Sequence, residues 1–291
     1  MMMFNRQKAL LYMLRAAGGR ASRLQLVKWS FLVLNESSGG GGPAFYRFLP
    51  YLRGPFSFSL YHEVAKLLRG GFVSEPDDET WELTPAGEEA SDTVPEDIGR
   101  DVVAVMDERA SQPVGAMVEH VYATYPWYTL KSQSGARIEP PVAEAAVYTA
   151  GYEGKSVDAF LDSILRAGVR RVVDVRRNPV ARRYGFHGST LARLCGKLGL
   201  DYRHFAELGV PSAERRDLST KADYEALLSR YEVTTLRREV GAIREVGHLS
   251  AEEPSVLICS EADPSRCHRS RLAEAVSRQT ALPVRHLGAA A

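Results

Sequence analysis

Five apolar segments alternate with amphipathic ones between residues 147 and 287, and this rhythm limits the folds open to the chain. The apolar segments are VYTAGY (147–152), RRVVDVR (170–176), LDYRHFAEL (200–208), SVLICSE (255–261) and LPVRHL (282–287). Helical apolar spacing fills the intervals, over 156–168, 189–199, 222–246 and 267–279. Largely apolar strands separated by helices are typical of a parallel sheet covered on both faces. The sequence therefore predicts an α/β fold with a C-terminal parallel-sheet, Rossmann-like domain.

The N-terminal region has a different pattern, with three helices followed by a hairpin. Helical spacing covers 5–17, 21–34 and the segment SLYHEVAKLLRGGF, and FVSE and WELT alternate around a turn at Pro76. The glycine run at 37–43 predicts a flexible break. This order is typical of a winged helix, and the run GPFSFSLYHEVAKLLRGGFVSE…WELTPAG resembles winged-helix-like domains of prokaryotic antitoxin and regulator families. We expect a mostly helical, winged-helix-like domain before the α/β domain.

The charges of this module are compatible with more than one binding partner. The third helix, which would read DNA, offers His62, Glu63, Lys66 and Arg69. The hairpin is acidic, and a DNA backbone would repel its carboxylates at Glu75, Asp77, Asp78, Glu79 and Glu82. DNA contact, binding of a protein partner and formation of a homodimer are all compatible with the module.

The segment KSQSGARIEPPVAEAA at 131–146 is the best candidate for a linker, because it is polar and contains Pro140 and Pro141. The predicted organisation is a winged-helix-like module over 1–90, a helical connector and linker over 91–146, and an α/β domain over 147–291.

Composition restricts the partners and the cellular compartment that we expect for this protein. The formal net charge is +1, so any attraction for nucleic acid must be local. Three cysteines are too few for a disulfide framework, and no apolar stretch approaches the length of a membrane span. Basic residues interrupt the apolar N-terminus, which is typical of an amphipathic helix and not of a signal peptide. We expect a cytoplasmic protein that does not enter a membrane.

Polar side chains follow four of the predicted strands at the point where each strand ends. Tyr152 follows the first strand, Asp174 and Arg176 end the second, Glu207 ends the third, and residues 261–269 follow the fourth. Ligands of open parallel sheets bind beyond the carboxyl ends of the strands. The sequence therefore predicts one shared polar site at that edge.

Phosphate is the ligand group that these residues indicate, since the forked guanidinium of arginine binds it in a bidentate manner. Arg176, Arg177 and Arg182 are the candidates. Tyr152 and Phe186 could stack on a base, although Phe186 could equally fill the core. Among the acids, Asp174 could orient a ribose hydroxyl or hold an arginine.

Glu207 and the segment Cys267-His268-Arg269 complete the candidate site. Glu207 could act as a general acid or base beside a sugar, or cap a helix. Cys267 could be a nucleophile, could bind a metal or could be structural; we expect Cys259 to be buried in the strand and Cys267 to be packed, with His268 and Arg269 facing the ligand. A metal is not expected, because the spacing C-x7-C-H lacks the usual short pairs. The predicted catalytic residues are Asp174, Glu207 and His268, and no cofactor is predicted.

Residues 147–287 resemble the family known as domain of unknown function DUF488. The resemblance is carried by YTAGY, by VVDVRRNPVARRYGFHGSTLARLCGKLGLDYRHFAELG and by VLICSEADPSRCHRSRLAEAV. It implies an α/β fold in which these motifs form one site, and it implies no particular reaction.

Two functions are compatible with these features. The first is an enzyme that processes a nucleotide or nucleic acid, acting at the N-glycosidic bond of a base, with the N-terminal module presenting a polymer. The second is a regulator or defence-associated sensor, in which the same pocket binds a nucleotide-like signal without catalysis and the module binds DNA or a protein.

Overall fold

The N-terminal unit, Met1–Glu139, is one of two compact units in a computed structural model that describes residues 3–135, 137–215 and 218–288. Its helices are α1 Asn5–Ala16, α2 Arg23–Glu36, α3 Phe58–Arg69, α4 Pro85–Ser91, α5 Glu96–Arg109 and α6 Val114–Thr124. Its strands are β1 Arg20–Ser22, β2 Leu49–Tyr51, β3 Gly54–Phe56, β4 Val73–Asp77 and β5 Thr80–Leu83. The three predicted helices and the hairpin are present, and β1 to β3 were not predicted from the sequence.

The short strand β1 extends the hairpin into a three-stranded antiparallel sheet in the order β1-β5-β4. Ser22, the last residue of β1, caps α2 by accepting a hydrogen bond from the backbone N–H of Gln25, at 3.2 Å. Helices α1, α2 and α3 bury their apolar faces in one core, which includes Leu10, Phe31 and Leu67. Trp81 of β5 is buried in the same core.

The prediction of a flexible break at 37–43 is wrong. The backbone N–H groups of Gly39 and Gly41 each donate to the buried carboxylate of Asp101, both at 2.9 Å. Gly41 has φ +74°, and a Cβ there would lie 2.6 Å from the ring of Phe45. The glycines therefore form a tight turn around an acid of α5, which their composition does not reveal.

The C-terminal unit, Pro140–Ala291, contains the predicted sheet. Its strands are β6 Val147–Gly151, β7 Arg171–Asp174, β8 Asp201–His204, β9 Ser255–Cys259 and β10 Val284–Leu287. Its helices are α7 Val157–Arg166, α8 Gly188–Lys197, α9 Lys221–Tyr231, α10 Val240–Glu252 and α11 His268–Thr280. All five strands are parallel, in the order β10-β6-β9-β7-β8, so the predicted α/β fold with a parallel sheet is confirmed.

Both faces of this sheet are buried, as continuous apolar strands require. Val173 and Leu257 pack with side chains of α9, α10 and α11, including Ile243 and Leu272. Neighbours in these strands, such as Val172 and Val256, point to the other face and are equally buried. The stretch over 222–246 is not one helix: a π-helical turn, Glu232–Leu236, continues α9, and the helix is interrupted at Glu239 before α10 begins.

No helix in the described part of the chain combines the length and the apolar character that crossing a membrane requires.

Candidate functional site

The carboxyl ends of β6, β9, β7 and β8 meet at one edge of the sheet because these strands are neighbours in that order and run in the same direction. The chain leaves β6 at Tyr152, β7 at Val175, β8 at Phe205 and β9 at Ser260. A network of hydrogen bonds connects the four loops that follow. We call this region the sheet-edge site.

Two glycines allow the loops to approach each other this closely. A Cβ on Gly151, at the end of β6, would lie 1.8 Å from the carbonyl oxygen of Glu261 in the loop after β9. A Cβ on Gly209, after β8, would lie 2.0 Å from the backbone nitrogen of Arg177 in the loop after β7. Both positions therefore require glycine, and each joins a pair of neighbouring loops.

A buried ion pair of Asp174 and Arg176 lies at the centre of the site. Nε of Arg176 donates to Oδ1 of Asp174 at 2.8 Å, and Nη2 donates to Oδ2 at 2.5 Å. Nη1 donates to the hydroxyl of Tyr152 at 3.0 Å and to the carbonyl of Phe186 at 2.8 Å. Asp174 is 0% exposed and Arg176 is 3% exposed. The guanidinium is thus hydrogen-bonded to protein groups and connects the loops after β6 and β7.

Tyr202 of β8 adds a third partner, since its hydroxyl donates to Oδ2 of Asp174 at 2.7 Å. Burial raises the pKa of Tyr202, and the charge of Asp174 raises it further, so the hydroxyl stays a donor. Burial alone would lower the pKa of Arg176, but the hydrogen bonds and charge of Asp174 outweigh it and raise that pKa. Of the two roles considered for Asp174, holding an arginine is the one that these contacts describe.

The aromatic candidates form a stack inside the domain. Phe186 is 0% exposed, and its ring lies 4.1 Å from that of Tyr152 at an interplanar angle of 13°. Phe160 of α7 packs edge-on against both rings. The ring of Phe186 therefore fills the core, and Tyr152 is the half-exposed member of the stack.

The exposed charges of the site lie around this centre. Arg177 and Arg182 are exposed, and Nη1 of Arg177 donates to the carbonyl of Ala206 at 3.5 Å. Glu207 lies in the 3-10 turn Ala206–Leu208 and is partly buried. No hydrogen bond or ion pair joins its carboxylate to the described residues, which leaves it available to a ligand.

Two thiols and an imidazole form a second buried group at the end of β9. Nδ1 of His268 lies 3.8 Å from Sγ of Cys259 and 4.0 Å from Sγ of Cys267. Oε2 of Glu261 lies 3.1 Å from Sγ of Cys259 and 3.0 Å from Sγ of Cys267. We call Cys259, Cys267, His268 and Glu261 the thiol cluster.

The pKa values of the two thiols in the cluster are shifted in opposite directions. The hydrogen bond from Cys267 and the charge of His268 hold the pKa of Cys259 well below its usual value, despite burial. Burial raises the pKa of Cys267, and the hydrogen bond with Cys259 and the charge of Cys259 raise it further. Burial would lower the pKa of His268, but the charge of Cys259 raises it above the ordinary value.

His268 and Arg269, which we expected to face the ligand, are both buried. Nε2 of His268 donates to the carbonyl of Val175 at 3.0 Å, which joins α11 to the loop after β7. Arg269 is 1% exposed and donates to the carbonyls of Glu261 at 2.5 Å and Ala262 at 3.0 Å. Arg269 therefore shapes the loop after β9.

The sequence-derived candidates lie in or beside the loops of the sheet-edge site, in two environments. The buried members are Asp174, Arg176, Phe186, Cys267, His268 and Arg269, and the exposed or partly exposed members are Tyr152, Arg177, Arg182 and Glu207. Sequence reasoning did not single out Tyr202 as a partner of Asp174 or Glu261 as a neighbour of both thiols. Glu261 follows the end of β9, which was an available signal, whereas Tyr202 lies within β8 and carried none.

Comparison with known proteins gives one match. Residues 156–276 match the family described as Domain of unknown function DUF488, which covers the chain from α7 into α11 and includes the loops after β7, β8 and β9. No curated protein and no solved structure matches the chain. The C-terminal unit of this chain is therefore similar to the DUF488 family over these residues.

Proposed function

We propose that the sheet-edge site is the active site of an enzyme that processes a nucleotide or a base in nucleic acid, acting at the N-glycosidic bond. The observation that carries this proposal is the environment of Glu207. Its carboxylate is partly buried and unpaired within the described residues, and it shares a loop with Ala206, which the exposed Arg177 contacts. A free carboxylate beside cations that can hold a phosphate is the combination that cleavage of a nucleotide sugar bond needs.

The proposed division of labour follows the exposure of each group. Arg177 and Arg182 bind phosphate oxygens, since their guanidinium groups are exposed. Glu207 stabilises positive charge on the sugar or accepts a proton from water. Tyr152 offers the accessible ring for a base, whereas Asp174 and Arg176 position the loops and touch no substrate.

The N-terminal unit supplies the polymer-binding part of the proposal. Glu63 of α3 is buried and bonded to Arg6 and Gln7 at 2.9 and 2.7 Å, and it also pairs with Lys66 at 3.4 Å. Arg69, at the end of the helix, is exposed.

Ion pairs also neutralise part of the negative charge of the hairpin formed by β4 and β5. Arg23 pairs with Glu75 at 2.8 Å, and Arg20 pairs with Asp77 at 3.1 Å. These pairs reduce the repulsion that the sequence suggested, and they favour nucleic acid as the partner of a winged-helix-like module.

Base release tests the enzyme proposal. The full chain is incubated with modified and unmodified DNA, RNA and free nucleotides, with and without added metal, and free base is measured by mass spectrometry. We expect release of a base from at least one substrate class and a loss of about 10²–10⁴-fold in Glu207→Gln. Glu245→Gln on the exposed side of α10 is the matched control and should retain full activity. Absence of released base under all conditions removes the proposal.

A nucleotide sensor without catalysis is the second candidate, and one observation favours it. The most buried carboxylate at the edge, Asp174, is occupied by Arg176 and Tyr202 and cannot serve as a base. A thermal-shift screen against nucleotides, combined with the base-release assay, separates the two functions. Stabilisation of the wild-type chain by a nucleotide without turnover supports the sensor.

A further inference from the structure

The thiol cluster has a composition and geometry that neither proposed function uses. Its three soft ligand atoms, Sγ of Cys259, Sγ of Cys267 and a ring nitrogen of His268, lie within 4.8 Å of one another, and all three residues are buried. We propose that Cys259, Cys267 and His268 bind a thiophilic divalent cation of the Zn²⁺ class, with a carboxylate oxygen of Glu261 as the fourth ligand.

The distances between ligand atoms fit a tetrahedral ion. Zn–S bonds of about 2.3 Å and Zn–N bonds of about 2.0–2.1 Å place sulfur and nitrogen about 3.6 Å apart in a tetrahedron. The observed distances from Nδ1 of His268 to the two sulfurs are 3.8 and 4.0 Å. A contraction of a few tenths of an ångström therefore brings the ring nitrogen to the expected distance from each sulfur, and the two sulfurs lie within 4.8 Å of each other.

The orientation of the imidazole is that of a metal ligand. Nε2 of His268 donates its hydrogen to the carbonyl of Val175 at 3.0 Å, so the lone pair of the neutral ring is on Nδ1, which faces the two sulfurs. Histidine ligands of metals are usually held in this way, with the distal N–H bonded to a carbonyl or carboxylate.

Glu261 supplies the fourth position. Its Oε2 accepts from the two thiols at 3.1 and 3.0 Å, and loss of the thiol protons with an outward shift of about half an ångström would place it at the ligand spacing of a tetrahedral ion. Its Oε1 lies 3.7 Å from Nη1 of Arg215. A divalent ion with two thiolates and one carboxylate carries a net charge of −1, and Arg215 neutralises it. Because these charges cancel, the free-energy cost of burying the site in a low-dielectric environment is reduced.

The spacing of the cysteines hides this site in the sequence. Seven residues separate Cys259 from Cys267, in place of the two to four of common zinc motifs. The chain returns through the 3-10 turn Pro264–Arg266, so that Cys267 precedes α11 directly beside the end of β9. An ion here would join β9, α11 and the loop after β7.

Cobalt binding to the full chain tests the proposal, with Co²⁺ as a spectroscopic substitute for Zn²⁺. We expect saturation at one Co²⁺ per chain, a thiolate-to-metal charge-transfer band, intense visible bands typical of tetrahedral coordination, and loss of all bands on addition of equimolar Zn²⁺. Cys259→Ser and Cys267→Ser should each remove most of the charge-transfer intensity. Cys195→Ser, which alters the buried cysteine of α8, is the matched control and should leave the spectrum unchanged.

A second measurement on the wild-type chain does not depend on the folding of the variants. Native protein with and without Zn²⁺ is treated with a thiol-alkylating reagent, and modification is read by peptide mass spectrometry. We expect Zn²⁺ to protect Cys259 and Cys267 at least tenfold and to leave the rate at Cys195 unchanged. Equal rates with and without Zn²⁺, a spectrum without thiolate bands, or a Cys259–Cys267 disulfide that forms in air in the presence of Zn²⁺ would each overturn the proposal.

Discussion

Asp174 and Arg176 are two residues apart at the end of β7, and their pairing organises the sheet-edge site. The sequence placed both residues at the correct edge, since they end a strand pattern of a parallel sheet. It did not reveal that Asp174 accepts from both Arg176 and Tyr202, because a contact across neighbouring strands depends on register. The same limit applies to Phe186, whose burial depends on the ring of Tyr152.

Asp174→Asn should lower the free energy of unfolding by about 3–5 kcal/mol, because it leaves the buried guanidinium of Arg176 without a counter-charge. Chemical denaturation monitored by circular dichroism measures this loss. Arg166→Gln, which removes the exposed pair of Arg166 with Asp162, is the control and should cost less than about 1 kcal/mol. Equal losses in the two variants would show that burial of the Asp174 pair has no energetic consequence.

Lys28 predicts a pH dependence of stability in the N-terminal unit. It is buried in α2, its Nζ donates to the carbonyl of Arg53 at 2.5 Å, and burial lowers its pKa to about 7. Between this value and the ordinary value of 10.5, the unfolded chain binds a proton that the folded chain does not, so stability rises with pH across that window.

Lys28→Met should therefore remove a rise in the free energy of unfolding of at most about 4 kcal/mol between pH 7 and pH 10. Urea denaturation of the wild-type chain and the variant at both pH values gives the difference directly. An identical pH dependence in the two proteins would contradict the assignment.

At the scale of elements, the long and regular segments were predictable and the short or contact-dependent ones were not. The five strands and their helices in the C-terminal unit follow from periodicity over many residues. The strand β1 has three residues, too few to show alternation, and it exists because it pairs with β5. The turn at 37–43 depends on the carboxylate of Asp101, which is about sixty positions away in the sequence.

Gly151→Ala tests the close approach of β6 to the loop after β9. Its Cβ would lie 1.8 Å from a backbone oxygen, so we expect a loss of about 3 kcal/mol or more in the free energy of unfolding. Gly196→Ala in α8 is the matched control: its Cβ meets nothing within 4 Å, and it should raise the free energy of unfolding by about 0.5–1 kcal/mol. The approach would be refuted if thermal and chemical denaturation gave both variants the same stability.

At the scale of the whole molecule, the chain combines two units with different tasks in the proposed function. The first, Met1–Glu139, has a helical surface at α3 for a polymer, and the second, Pro140–Ala291, has the sheet-edge site. The fold class and the gathering of the candidate residues at one edge of the sheet followed from the sequence. The thiol cluster did not, because the loop after β9 brings Cys259 and Cys267 together across seven intervening residues.

Lys66→Ala combined with Arg69→Ala tests the role of α3. If these side chains contact phosphates, the double variant binds duplex DNA more weakly, and the slope of log affinity against log salt concentration becomes shallower by about 2. Fluorescence anisotropy at several salt concentrations measures both quantities. Arg244→Ala on the exposed side of α10 is the control, and an unchanged slope in the double variant would exclude α3 from the interface.

Hydrogen–deuterium exchange tests most directly whether the four loops at the sheet edge form one ligand site. The full chain is compared with and without a nucleotide or oligonucleotide identified by thermal shift, and peptides from every element are followed. The account predicts slower exchange in the loops after β6, β7, β8 and β9 together. Protection that is confined to another region of the C-terminal unit, with these four loops unchanged, would contradict it.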